Sequence, residues 1–133
     1  MKYLLDTNIC IYIIKKKPSA VIKHLINKDF KDVAVSSITL SELEYGVQKS
    51  SSPLKNKVAL AEFLAPFKII SFDDNAAQQY GLIRADLEKK GSIIGAMDLL
   101  IAAQALSQNL ILVTNNEKEF NRIKRLKIEN WVN

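Results

Sequence analysis

The sequence predicts an α/β fold, with a central, mostly parallel sheet of about five strands and helices on both faces. Three observations predict it. First, the strand-like segments, among them Tyr3-Leu4-Leu5 and Leu110-Ile111-Leu112-Val113, are continuously apolar and do not alternate, the pattern of strands buried on both sides. Second, helix-length segments separate these strands, as parallel pairing requires. Third, the 133 residues, 48% hydrophobic and 25% charged, are enough for one domain spanning 1–133 around a continuous core. No repeat, low-complexity stretch or interdomain linker interrupts them.

Tyr3-Leu4-Leu5 reads as a short buried strand, followed by a helix from about Asn8 to Lys16 that Pro18 closes off. A second helix covers Ala20 to Asn27, and Val33-Ala34-Val35 is the next strand. Ser36 and Ser37 lead into a helix from about Thr39 to Lys49. Ser50-Ser51-Ser52-Pro53 is a break, with serines able to cap and a proline near a helix start. The helix beyond it runs to Leu64, with Pro66 as its stop. Lys68 to Phe72 is a β-branched run, and Asp73 or Asp74 caps a long helix from about Asn75 to Lys89. Gly91 ends that helix, and Gly95 precedes another from Ala96 to Ser107. Leu110 to Thr114 forms the clearest strand, and a short helical segment and a last strand near Lys127 to Trp131 complete the chain.

Composition excludes several classes. No apolar run approaches the ~20 residues that span a bilayer, and the lysines follow the first apolar stretch where a secretory leader would place them before it. The single cysteine, Cys10, lies in an apolar run and has no disulfide partner, as expected of a cytoplasmic protein. The net charge of +5 suits a polyanionic partner. Basic residues concentrate at Lys15-Lys16-Lys17, at Lys55 and Lys57, at Lys89-Lys90 and from Arg122 to Lys127.

The acids are the informative residues. Asp6 follows the first strand, at the edge where open parallel sheets form their sites, although Asp6, Thr7 and Asn8 are all good helix caps. Between Ala96 and Leu106 the only polar side chains are Asp98 and Gln104. A helix so apolar is buried, so its lone acid faces protein or a cleft. Placement in the first turn alone would account for the acid but not for the apolar surroundings. Glu42 and Glu44 share a helix and both have apolar neighbours at helical spacing, so periodicity does not choose between them. In Thr114-Asn115-Asn116-Glu117-Lys118-Glu119-Phe120, Asn116 and Glu119 have the spacing of a capping box, and Glu117 reads as exposed.

Other chemistries lack their residues. The only histidine is His24, in a Lys-rich helix, so imidazole acid–base pairs and Ser–His or Cys–His nucleophiles are unsupported. There is no phosphate-cradling glycine loop, no CxxC and no HExxH. What remains is a set of acids at strand ends, the hard oxygen donors that Mg²⁺ or Mn²⁺ prefers.

With these motifs in hand, the chain resembles the PIN-domain ribonucleases, specifically the VapC-type toxins of type II toxin–antitoxin pairs and their enteric-like branch. The segments that carry the likeness are LLDTNICIY, SSITLSELEYGVQKS, GSIIGAMDLLIAAQAL, LVTNNEKEF and the closing IENW, in family order and spacing over nearly the whole chain. The resemblance implies a PIN-like three-layer fold. It assigns Asp6, Glu42, Asp98 and Glu119 as the catalytic, metal-holding acids, choosing Glu42 over Glu44. Many relatives carry aspartate where this chain has Glu119. It also assigns Asn8, Thr114 and Asn116 as supporting polar residues. Gln104 stands where many relatives carry histidine. The family further implies Mg²⁺- or Mn²⁺-dependent hydrolysis of RNA by water, leaving a 5′-phosphate and a 3′-hydroxyl. The implied target is the anticodon stem-loop of initiator tRNA, whose loss inhibits translation. A homodimer and a VapB-type antitoxin, whose peptide tail lies in a groove beside the acids, are the implied partners.

Two rival readings make distinct demands. A Mg²⁺-binding receiver-type signalling domain needs paired acids after the first strand and a lysine after the last, but Leu5 precedes Asp6 and Asn115 follows Thr114. A non-catalytic PIN-like RNA-binding domain usually lacks some of the acids, and here all four positions are acidic.

Overall fold

The computed structural model describes residues 1–133. Five strands, β1 (Tyr3–Leu5), β2 (Val33–Ser36), β3 (Lys68–Ile70), β4 (Ile111–Val113) and β5 (Ile128–Glu129), form one sheet in the order β3-β2-β1-β4-β5. Every pairing is parallel, with Leu4 between Ala34 and Leu112 and Leu5 between Val35 and Val113. Seven helices cover it: α1 (Thr7–Lys15), α2 (Ser19–Ile26), α3 (Ser37–Lys49), α4 (Pro53–Leu64), α5 (Asp74–Lys89), α6 (Ala96–Ser107) and α7 (Glu117–Phe120). No helix is long and apolar enough to cross a membrane.

Because successive side chains on a strand point to opposite faces, the central strands feed two cores. Leu4, Ala34 and Leu112 pack with Ile83 and Leu87 of α5, Ile101 of α6 and Phe120 of α7. Tyr3, Leu5, Val33, Val35 and Val113 pack on the other face with Ile9, Val21, Leu43 and Leu60 from α1 to α4, and with Trp131. That division makes the three layers. Burying one such aliphatic side chain contributes ~1.5–3 kcal/mol, so the continuous apolar runs are what hold the central strands in place.

Boundaries differ from the sequence expectation where a cap or turn intervenes. α1 starts at Thr7 because the Asp6 carboxylate accepts the Ile9 N–H at 2.9 Å. α3 starts at Ser37 because the Ser36 hydroxyl accepts the Ile38 N–H at 3.0 Å. Ser50 ends α3 by donating to the Val47 carbonyl at 2.6 Å, while Ser52, before Pro53, makes no side-chain cap bond. β3 stops at Ile70, since the Phe72 N–H turns to the Ser37 hydroxyl at 3.1 Å. β5 has only two residues because the Asn130 side chain accepts the Val132 N–H at 2.9 Å and turns the chain. Trp131 therefore leaves the sheet and is fully buried edge-on to Tyr3, stacked on His24.

Candidate active site

From β1 the chain moves outward through β2 to β3, and then returns to the other side of β1 for β4. The connections leaving β1 and β4 diverge, which opens a crevice at their carboxyl ends, the switch point of an open parallel sheet. Asp6 is the residue after β1 and Thr114 the residue after β4, and the Asp6 N–H donates to the Val113 carbonyl at 3.0 Å. The edge of the sheet itself thus fixes Asp6.

Asp6 is almost wholly buried. Burial pushes its carboxyl above the ordinary value, and the Glu42 charge adds to the effect. The Thr114 hydroxyl and the N–H groups of Ile9 and Asn8 act in the opposite direction. Asp98, half-buried in the first turn of α6, is pushed up to about 6. Burial is the main cause, followed by a hydrogen bond shared with Glu119 and the charges of Glu119, Asp6 and Glu42. Four acids from four separate elements therefore meet at one edge.

The other polar residues hold these acids. Thr7 donates to Glu42 Oε1 at 2.6 Å, and its oxygen lies 3.3 Å from the buried Thr39 hydroxyl. Thr7 has one hydroxyl proton, given to the carboxylate at the shorter distance, so Thr39 is the donor to Thr7. Glu44, by contrast, is drawn away to the Lys57 ammonium at 2.6 Å. Asn116 Nδ2 donates to Glu119 Oε2 at 3.0 Å, and the Asn116 N–H donates to the Thr114 hydroxyl at 2.9 Å. The capping-box spacing is thus used differently from the sequence expectation: Asn116 makes no side-chain cap bond to α7 and orients Glu119 instead. Asn8 is exposed, and the cap of α1 is Asp6.

Below the acids, buried Gln104 accepts from the Ser36 hydroxyl at 2.8 Å and donates to the Ser71 carbonyl at 2.8 Å. Ser36 also caps α3, which carries Glu42, while Gln104 belongs to α6, which carries Asp98. One hydrogen-bonded clasp therefore sets the two acid-bearing helices against each other. Sequence reasoning did not find Thr7, Thr39 or this clasp as parts of the site. The one visible signal was a lone glutamine in an otherwise apolar helix.

The donor set is entirely oxygen, the hard kind that Mg²⁺ and Mn²⁺ favour. The mutual repulsion of the acids, which adds to burial in raising Asp98, is what a divalent cation relieves. No three of the acids close on one point tightly enough to form a complete ligand group alone. Mg²⁺ usually keeps several waters and binds through one or two carboxylates, so the donor chemistry fits such an ion, while the spacing of the acids does not by itself form a closed site. Beside Glu42, between α1, α3 and α4, runs a groove of about 440 Å³ whose walls include Ile11, Ile14, Leu43, Val47 and Leu60.

The sequence model of the PIN domain matches residues 3–126. The chain belongs to the PIN-domain family, in its VapC branch. It is 48% identical over 132 residues to Ribonuclease VapC2 of Rickettsia felis, with 98% of each chain covered. It is 42% identical over 131 residues, again with 98% of each covered, to the tRNA(fMet)-specific endonuclease VapC of Salmonella typhimurium. Among solved structures, VapBC2 from Rickettsia felis bound to a promoter DNA fragment superposes with a TM-score of 0.92 at 47% identity, covering 98% of this chain and 99% of that one.

Proposed function

We propose that residues 1–133 form one domain that acts in the cytoplasm as a Mg²⁺- or Mn²⁺-dependent endoribonuclease, the toxin of a toxin–antitoxin pair. The observation that carries this reading is the meeting of four acids at the switch point, with Asp6, Glu42 and Glu119 each held by a neighbour outside the cluster. Asp6, Glu42 and Asp98, with Glu119, would hold the metal. When bound, the ion supplies charge to polarise the phosphodiester and to lower the pKa of an attacking water. Thr7 holds the Glu42 carboxylate aimed at the crevice, and Asn116 does the same for Glu119. The Thr114 hydroxyl supports Asp6.

The RNA is proposed to be tRNA, with the initiator tRNA anticodon stem-loop as the specific target, so that cleavage inhibits translation. Support comes from relatives whose names specify tRNA(fMet), at 41% and 42% identity. The antitoxin is a VapB-type protein, in line with the VapBC complexes among similar structures. Its peptide would lie in the apolar groove beside Glu42 and bring a basic side chain toward the acids. The chain acts as a homodimer.

The test is incubation of the purified chain with total tRNA, with and without Mg²⁺, followed by mapping of the cut ends. Cleavage with 5′-phosphate ends that is abolished by EDTA, Asp6→Ala and Asp98→Ala, and retained by Glu44→Ala, is expected. Cleavage that persists in EDTA or in Asp98→Ala would overturn the metal-nuclease reading. Ends mapping outside the anticodon stem-loop would overturn the substrate alone.

A further inference from the structure

We propose that a cationic shelf made by Lys124 and Arg125 with Lys89 and Lys90 of α5 holds the phosphate backbone of a base-paired RNA stem beside the cleaved strand. This rests on the nuclease reading and assigns the stem a place on the chain.

The shelf is reached from the acids through the basic run that follows Glu119. Residues 118–127 contain Lys118, Arg122, Lys124, Arg125 and Lys127 against the single acid Glu119. The Arg122 N–H donates to the Glu119 carbonyl at 3.1 Å, and Arg122 Nη1 donates to the Ile93 carbonyl at 2.9 Å, just before the helix of Asp98. Arg122 of the basic run is thus hydrogen-bonded to the backbone of a site acid. Beyond it lies a pocket of about 280 Å³, with Lys90, Lys124 and Arg125 on its rim and Leu82, Ile83, Leu87 and Ile123 as its floor. Its only acid is Asp86, held by Lys90 at 2.9 Å and also within the field of Lys124 and Lys89. Arg125 is paired only to the neutral Gln79, at 3.1 Å. Positive charge is thus in excess over the one carboxylate there.

Among the other basic residues, Lys57 is bound to Glu44 at 2.6 Å, as Lys90 is to Asp86, and Lys28 lies over the Tyr3 and Trp131 rings. Lys15, Lys16 and Lys17 stand at the far end of the nine-residue α1, about 13 Å along the helix from Asp6. The shelf pocket has no aromatic residue in its lining. Single-stranded RNA is gripped by stacking on aromatic side chains, whereas duplex RNA is held by shape and backbone phosphates. A cationic surface without stacking platforms fits a stem.

The experiment measures salt-dependent binding of a labelled RNA stem-loop by fluorescence anisotropy, with Asp6→Asn present throughout to prevent cutting. Lys124→Gln/Arg125→Gln in that background is expected to weaken binding about tenfold at about 0.1 M salt. It should also flatten the slope of log K against log salt by roughly 0.7–0.9 per lost phosphate contact. Lys16→Gln/Lys17→Gln and a single-stranded RNA of the loop sequence should change less than about twofold. In the otherwise unaltered chain, the shelf substitutions should raise KM and leave kcat in place. An unchanged slope, an equal loss from the α1 substitutions, or an equal response with a DNA duplex of the same sequence would each overturn the proposal. If the unaltered chain fails to cut the stem-loop in Mg²⁺ while the slope changes as expected, the nuclease reading fails and the shelf stands.

Discussion

Asp98→Asn should make the metal-free protein more stable while abolishing its cleavage activity. In the folded chain the Asp98 carboxyl titrates at about 6, against an ordinary 3.8, so the fold binds its proton more tightly than the unfolded chain does. Unfolding free energy therefore falls as pH rises through that interval, and the whole penalty is present above about 6. For a fully enclosed group the displacement would be worth about 3 kcal/mol. Asp98 is only half-buried, and solvent screening reduces this to about 1 kcal/mol. Asparagine carries no charge and can still donate to Glu119, so the variant should recover that amount. In a chain of this size the gain is about 4 °C in Tm. The assay is calorimetry in EDTA at pH 7.5 and at pH 4. The gain should appear at pH 7.5 and shrink toward zero at pH 4, where the native carboxyl is already protonated. Mg²⁺ should raise the Tm of the native protein far more than that of the variant. A variant no more stable than the native chain at pH 7.5, or a gain unaffected by pH, would refute the reasoning.

Three further outcomes follow from the hydrogen bonds around the acids. Asp6→Ala should lose about 0.5–2 kcal/mol of stability with the α1 cap, whereas Asp6→Asn should keep the cap and lose only cleavage, as denaturant melts and a tRNA assay would show. Thr7→Val removes the hydroxyl bonded to the Glu42 carboxylate, a charge-assisted bond worth ~1.5–3 kcal/mol, and should lower the cleavage rate by about tenfold or more with little change in the circular dichroism spectrum. Gln104→Leu leaves the Ser36 hydroxyl and the Ser71 carbonyl without their partner and should cost about 1–3 kcal/mol in urea unfolding, with a weaker Mg²⁺ response as α3 and α6 lose their clasp.

Most of the fold was legible because the central strands are buried on both faces and so lack polar interruptions, as Leu110 to Val113 show. Asp98 was legible for the same reason, as a charge in a helix with almost no other polar residue. The choice between Glu42 and Glu44 was not legible from periodicity, because it depends on partners 35 and 13 residues away, Thr7 and Lys57. The ends of β3 and β5 were missed because side chains from elsewhere or nearby, Ser37 and Asn130, take the backbone N–H groups that a longer ladder would use. Asn116 and Glu119 had the spacing of a cap, and spacing does not reveal that two side chains bond each other in preference to the backbone.

Asp6 is both the cap of α1 and a member of the acid cluster, and these duties differ in what they require. The cap needs only an acceptor oxygen, which asparagine also has. The proposed metal site needs a negative charge. On that reading a single codon change to asparagine at this position would silence the chain, and the product would still fold and still present its apolar groove to an antitoxin. Loss of activity by that route would leave no mark on abundance or on partner binding, so a folded, partner-bound copy in a cell is not by itself a sign of a working one.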